Sequence, residues 1–232
     1  MIKEQGHDVT GLSVERSRGD AHVKALAESG WLSTASVIAS AAVTSFSGRR
    51  VVRDAADLAY RRVVEQARQP IFFTEYGVPD TLDGRFELIC LHAFLYLHRL
   101  KTDVPQANRI CQSFFDRMFA DFDRALREMG TGDLSVGKHV KRMVLAFYGR
   151  VRAYEEGLAG GEGILDAALV RNVFGTVSGS SPFAVMLARY VRDAARELGR
   201  QSVPDLLAGR ILFKAPPALG LCGASSLTGG SR

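Results

Sequence analysis

Three basic residues, Arg85, His92 and Arg99, recur every seventh position through a stretch that is otherwise largely apolar. Seven residues fall only about 20° short of two helical turns, so on a helix the three share one line. A cationic line of this kind could grip an acidic or carbonyl-rich segment of another protein. The alternative adopted here is internal, because buried charge must be paired and hydrogen-bonded. Asp116 and Asp123, also seven apart, are the expected counter-charges. Arg85, His92 and Asp123 could converge on folding, but so could many triplets, and that carries no case for catalysis.

Other chemistry-bearing residues support little. Cys90, Cys111 and Cys222 share no short spacing, so they form neither a metal knuckle nor a disulfide framework. Cys90 reads as a small core residue, and an odd cysteine count points to a reducing compartment. His92 and His98 lie six apart and point different ways on a helix. With His139 they raise a haem- or small-ligand-binding alternative, although no Cys-x-x-Cys-His motif is present. Asp121 and Asp123, two apart, diverge and make no catalytic pair. No nucleophile elbow, zinc helix or nucleotide loop occurs. The expectation is a protein without enzymatic activity, cofactor or metal.

Composition sets the frame. The chain has 232 residues with 47% hydrophobic content, enough for one core. A net charge of +5 spread over 30 basic and 25 acidic residues is a mixed surface, not a nucleic-acid-binding polycation. The uncharged run 29–48 has the length of a membrane span, yet eight of its twenty residues are Ser or Thr, too polar for ready insertion. Residues 1–50 are expected to be a poorly ordered extension.

Helical spacing then accounts for most of the chain. Val52 to Ala67 is one amphipathic helix, with Asp57, Arg61 and Glu65 four apart on its outer face, and Gln69-Pro70 ends it. Residues 71–78 form an aromatic linker with Phe72, Phe73 and Tyr76 as core plugs. A helix begins near Thr81, where Asp80 caps and Asp83 completes an acidic capping box. Gly84 in its first turns suggests a close backbone approach. From Phe86 to Leu100 the helix is apolar all round and must be central.

A turn over 101–105 precedes a third helix, whose core face is Phe115, Met118, Phe119, Phe122, Leu126 and Met129. Its other face carries Arg117–Asp121, Asp123–Arg127 and Arg124–Glu128 pairs. Gly130 and Gly132 break it. Lys138 to Tyr154 follows, with Val140, Met143, Val144, Phe147, Tyr148 and Val151 opposed to a basic face of Lys141, Arg142, Arg150 and Arg152. Gly157–Gly163 reads as a hinge, Ile164 to Phe174 as a short helix, and Ser181 as the cap of a helix led by Pro182. That helix buries Phe183, Met186, Leu187, Tyr190, Val191, Ala194 and Leu198. Ser202 to Asp205 cap a last turn, and residues 215–232 read as a tail. The fold class is all-α: an irregular bundle of about six helices over residues 51–214.

Tyr76 to Phe86, then Leu91-His92 and Arg99-Leu100, then Asp121 to Gly130, resemble the ubiquinol-cytochrome c chaperone family, with Gly132 to Lys138 and Phe147 to Arg150 agreeing. The resemblance spans roughly Val51 to Gly199 and is to the bacterial branch. It implies assembly of ubiquinol-cytochrome c reductase. Mitochondrial members attend newly made cytochrome b with a small helical partner, near the ribosome and inner membrane. By that resemblance this chain is cytoplasmic and peripheral at the inner membrane, or on the matrix side if eukaryotic, with a cytochrome b-like client and no specific nucleic acid. The residues put forward for partner binding are Tyr76, Asp80, Arg85, His92, Arg99, Lys138, Lys141 and Arg150. Asp83, Gly84, Asp116, Asp123 and Arg127 are given structural or ion-pair roles. Met118, Met129 and Met143 are adaptable side chains that core packing explains equally well.

Overall fold

The computed structural model describes residues 46–101, 107–161, 163–175 and 181–218. The chain divides into two units, residues 1–48 and 49–232, and the architecture below is that of the second. The run 29–48 lies almost wholly outside the described residues, as do the turn 102–106, the Ser181 side chain and Cys222. Among the described residues eight helices follow in order: α1 Phe46–Ala67, α2 Ile71–Thr74, α3 Leu82–Lys101, α4 Ala107–Glu128, α5 Asp133–Ala159, α6 Ile164–Asn172, α7 Ser181–Arg200 and α8 Val203–Leu207. Among the described residues there is no strand, so the all-α expectation holds, with six substantial helices and two short ones. None of them is long and apolar enough to cross a membrane.

Helix α3 is the axis, packed against α4, α5 and α7. Every residue from Glu87 to Leu97 is buried, as the apolar residues on all sides of the helix require, and Glu87 and His92 are buried with them. Its start differs by one residue from the capping box read in the sequence. Thr81, not Asp80, is the cap, its Oγ1 accepting from the Gly84 N–H at 3.1 Å. That register places Gly84 where Asp83 would have to be, so no box forms. Gly84 has the close neighbour its presence suggested: a Cβ there would lie 2.0 Å from the carbonyl oxygen of Pro79.

Around α3, helix α1 buries Ala56, Ala59, Tyr60 and Val63. Its Asp57 and Glu65 do not share Arg61: Asp57 pairs with Arg117 of α4 at 2.9 Å and Glu65 with Arg62 at 3.0 Å. In α4, Met118, Phe119 and Phe122 are buried as expected and Phe114 and Ile110 join them, while Met129 lies just past the helix end and is exposed. The three surface pairs of α4 are present, at 3.5, 2.7 and 3.8 Å. Helix α5 is longer at both ends than the sequence pattern indicated. Gly157 belongs to it and is a packing residue rather than a hinge, since a Cβ there would come 2.7 Å from the Leu165 Cα of α6. Ser202 caps α8 by accepting from the Asp205 N–H.

After α8 the backbone turns at Gly209, with φ of 75°, and residues 210–218 follow as a segment that is neither helix nor strand, tied to the bundle through Gln66, Tyr76 and Gln201. Ile211 and Pro216 are buried. The compact body therefore continues past Lys214, where the sequence placed the start of a tail.

Candidate functional site

The basic line of α3 separates on folding into three environments. His92 is fully buried, ringed by Phe72, Tyr190 and Phe213 at centroid distances of 5.3, 5.8 and 5.4 Å. Its Nδ1 lies 2.7 Å from the Leu88 carbonyl oxygen, which can only accept, so Nδ1 carries the proton. Nε2 then accepts from the Tyr190 hydroxyl at 2.8 Å, and that hydroxyl in turn accepts from the Gln66 amide at 3.0 Å. Burial drives the imidazole pKa down to about 4, against the weaker opposing pull of the Leu88 carbonyl. The ring is neutral at physiological pH and both its nitrogens are engaged.

Arg85, with 56% of its side chain exposed, turns to Asp80 at 2.7 Å and holds that carboxyl below the usual range. Arg99 donates to the Leu198 carbonyl at 3.1 Å and to that of Gln201. The proposed counter-charges serve their own helix: Asp116 accepts from Gln112 and Asp123 from Arg127, both at 2.7 Å. The hypothesis that Asp116 and Asp123 neutralise the stripe is therefore replaced by other partners: Asp80 for Arg85, the Leu88 carbonyl and the Tyr190 hydroxyl for His92, and the Leu198 and Gln201 carbonyls for Arg99.

The buried ion pair is elsewhere, between α3 and α5. Arg150 grips Glu87 with two nitrogens and gives a third bond to the Ala146 carbonyl at 2.9 Å. Side-chain exposure is only 18% and 7%, so this pair is core. Burial raises the Glu87 carboxyl above its ordinary value, with Arg150 working against that. The basic face assigned to α5 thus loses Arg150 to the interior, while Lys138, Lys141 and Arg142 are exposed. Glu87 was not singled out by sequence reasoning. Its signal was available, as the only acidic residue from Gly84 to Thr102.

Tyr76 is also core rather than surface, with its hydroxyl donating to the Pro217 carbonyl at 3.1 Å. Cys90 and Cys111 are free thiols whose pKa values burial pushes up, so neither is primed for attack. His98 and Lys101 meet Glu155 at 3.6 and 2.9 Å. No cluster of three or more potential metal ligands occurs among the described residues. The buried polar groups form a seam of two parts inside an apolar bundle, His92–Tyr190–Gln66 and Glu87–Arg150, while Asp80, Arg85, Lys138 and Lys141 are exposed.

A family model described as ubiquinol-cytochrome C chaperone matches residues 74–213. The chain belongs to that family. The match starts after α1 and continues through α8 to residue 213, so it is displaced towards the C-terminus relative to the 51–199 expected from the motifs. A Xenopus laevis relative named ubiquinol-cytochrome-c reductase complex assembly factor 1 is 27% identical over 164 residues, covering 70% of this chain and 82% of the frog protein. The yeast mitochondrial protein CBP3 is 25% identical over 149 residues, 62% of this chain and 44% of the yeast one. The crystal structure of the Cbp3 homolog from Brucella abortus superposes with a TM-score of 0.65 at 37% identity, over 71% of this chain and 91% of that one.

Proposed function

We propose that this protein is a non-enzymatic assembly chaperone for ubiquinol-cytochrome c reductase that holds newly made cytochrome b, or a related membrane subunit, before its incorporation. The observation that carries this reading is the family match across residues 74–213, which takes in the whole of α3 with Glu87, His92, Arg150 and Tyr190. The local chemistry supports it: His92, Glu87 and the thiols are spent on the fold, leaving no poised acid, base or nucleophile at the seam. Both nitrogens of His92 are occupied, which disfavours the haem-binding alternative, and a haem titration giving no Soret band would close it.

Partner contact falls to the accessible members of the predicted set: Asp80, Arg85, Lys138 and Lys141. Tyr76, His92, Arg99 and Arg150 act beneath them by fixing the helices that carry them. The protein works at the cytoplasmic face of the inner membrane, or the matrix face in a mitochondrion, with a small helical partner and weak contact to membrane or ribosome. In a strain lacking the gene, native gels should show a loss of assembled reductase, with newly made cytochrome b degraded. Complementation by Arg85→Glu or by Lys138→Glu with Lys141→Glu should be poor although the purified variants melt as the wild type does. Normal reductase levels in the deletion strain would overturn the proposal.

A further inference from the structure

The segment 210–217, neither helix nor strand, is held as a peptide ligand is held. Gln201 brackets Leu212, its side-chain amide donating to the Leu212 carbonyl at 2.6 Å and its carbonyl oxygen accepting from the Leu212 N–H at 3.1 Å. Gln66 of α1 donates to the Lys214 carbonyl at 3.1 Å, and Tyr76 to that of Pro217. Side chains from three separate places thus bond the main chain of one segment that is neither helix nor strand. Ile211 is buried, Leu212 exposed, Phe213 half-buried on the edge of His92, Lys214 and Ala215 exposed, and Pro216 buried, so three of its side chains anchor the segment to the body. Beside residues 214–217 lies an open space of about 340 Å³ against α7, with Tyr190 at one side and the Asp193–Arg196 and Glu197–Arg200 pairs around it. The segment does not fill the groove it occupies.

We infer that this groove is a binding site for extended polypeptide, occupied in the free protein by the chain's own residues 210–217 and opened to a client segment when that strap lifts. Main-chain hydrogen bonds supply affinity without demanding a sequence, and the Phe213 position selects an aromatic or aliphatic side chain. Such recognition suits an unfolded, apolar client strand. The inference deepens the holding role proposed above and rests on it for its biological meaning, but not for its test.

The probe is a fluorescein-labelled peptide of residues 209–218, added to full-length protein and followed by anisotropy. A tethered strap competes with it at high effective concentration, so wild-type protein should bind weakly. Phe213→Asp in the full chain should release the strap and tighten peptide binding by about tenfold or more. Adding Gln66→Ala and Gln201→Ala to that chain should abolish the gain. A Phe213→Asp chain that is folded by circular dichroism and binds no better than wild type overturns the inference. Should that variant not fold, hydrogen exchange on wild-type protein decides. A Leu212 amide that exchanges well before the amides of α3 supports a lifting strap, and one that exchanges only together with them overturns it. Reductase assembly is not read here, so failure of this experiment leaves the assembly role standing.

Discussion

Glu87 and Arg150 set how α5 sits on α3, and they do so as an obligate couple. Breaking a buried pair by removing one partner strands the other charge, at a cost of roughly 3–5 kcal/mol, whereas replacing both by apolar residues of similar volume is often near neutral. Arg150→Met should therefore lower the urea midpoint sharply, and Glu87→Leu with Arg150→Met should recover most of the loss. A double variant no better than the single one would show that the pair contributes through more than mutual neutralisation. His92 makes a different prediction. Its folded pKa of about 4 lies below the ordinary value of about 6.5, so between those pH values the unfolded chain takes up a proton that the folded one refuses. Stability should fall as pH drops through that window, by on the order of 3 kcal/mol in all. Asp80 and Asp205, held below the usual carboxylate range by their arginine and serine neighbours, lose their contributions only at lower pH, and Glu87 has the opposite sign. His92→Phe should be less stable at pH 7 yet lose less between pH 6.5 and 4.5, as denaturant midpoints across that range would reveal.

Among the elements, two glycines in helices should respond oppositely to the same substitution. Gly84→Ala drives a Cβ into the Pro79 carbonyl at 2.0 Å and should destabilise by roughly 1–3 kcal/mol. Gly149→Ala in α5 meets nothing within 4 Å and should stabilise by up to about 1 kcal/mol. Thermal melts of the two single variants test the contrast, and a loss at Gly149 would count against the placement of α5. At this scale the sequence was legible where periodicity speaks: the buried faces of α1, α4 and α7 follow the 3.6-residue pattern. It was less so at ends and joints. Thr81 and Asp80 are both good caps, and the choice between them rests on where Pro79 and Gly84 approach each other, which no local pattern records. Gly157 sits in a glycine-rich run that reads as a hinge, yet the close passage of Leu165 gives it a packing role.

For the whole molecule, class and central helix could be read from residue order, but the wiring could not. His92 finds Tyr190, 98 residues away, and Glu87 finds Arg150, 63 away. Such pairings are fixed by how helices cross, and seven-residue spacing alone suggested Asp116 and Asp123 instead. The predicted partner set divides along the same boundary, since residue type marked Tyr76, His92 and Arg150 for recognition while burial assigns them to architecture. Surface charge remains where the proposed contacts can form, at Arg85 and along the first half of α5.

Because Phe213 closes on His92 and Pro217 accepts from Tyr76, the interior around α3 stays incomplete until almost the last described residues have been synthesised. N-terminal parts of a nascent chain emerge first and domains fold as units. Here the His92 edge and the Tyr76 hydroxyl stay uncovered until residue 217 has left the translating machinery, so a protein proposed to shelter newborn chains must pass through the same unsheltered interval itself.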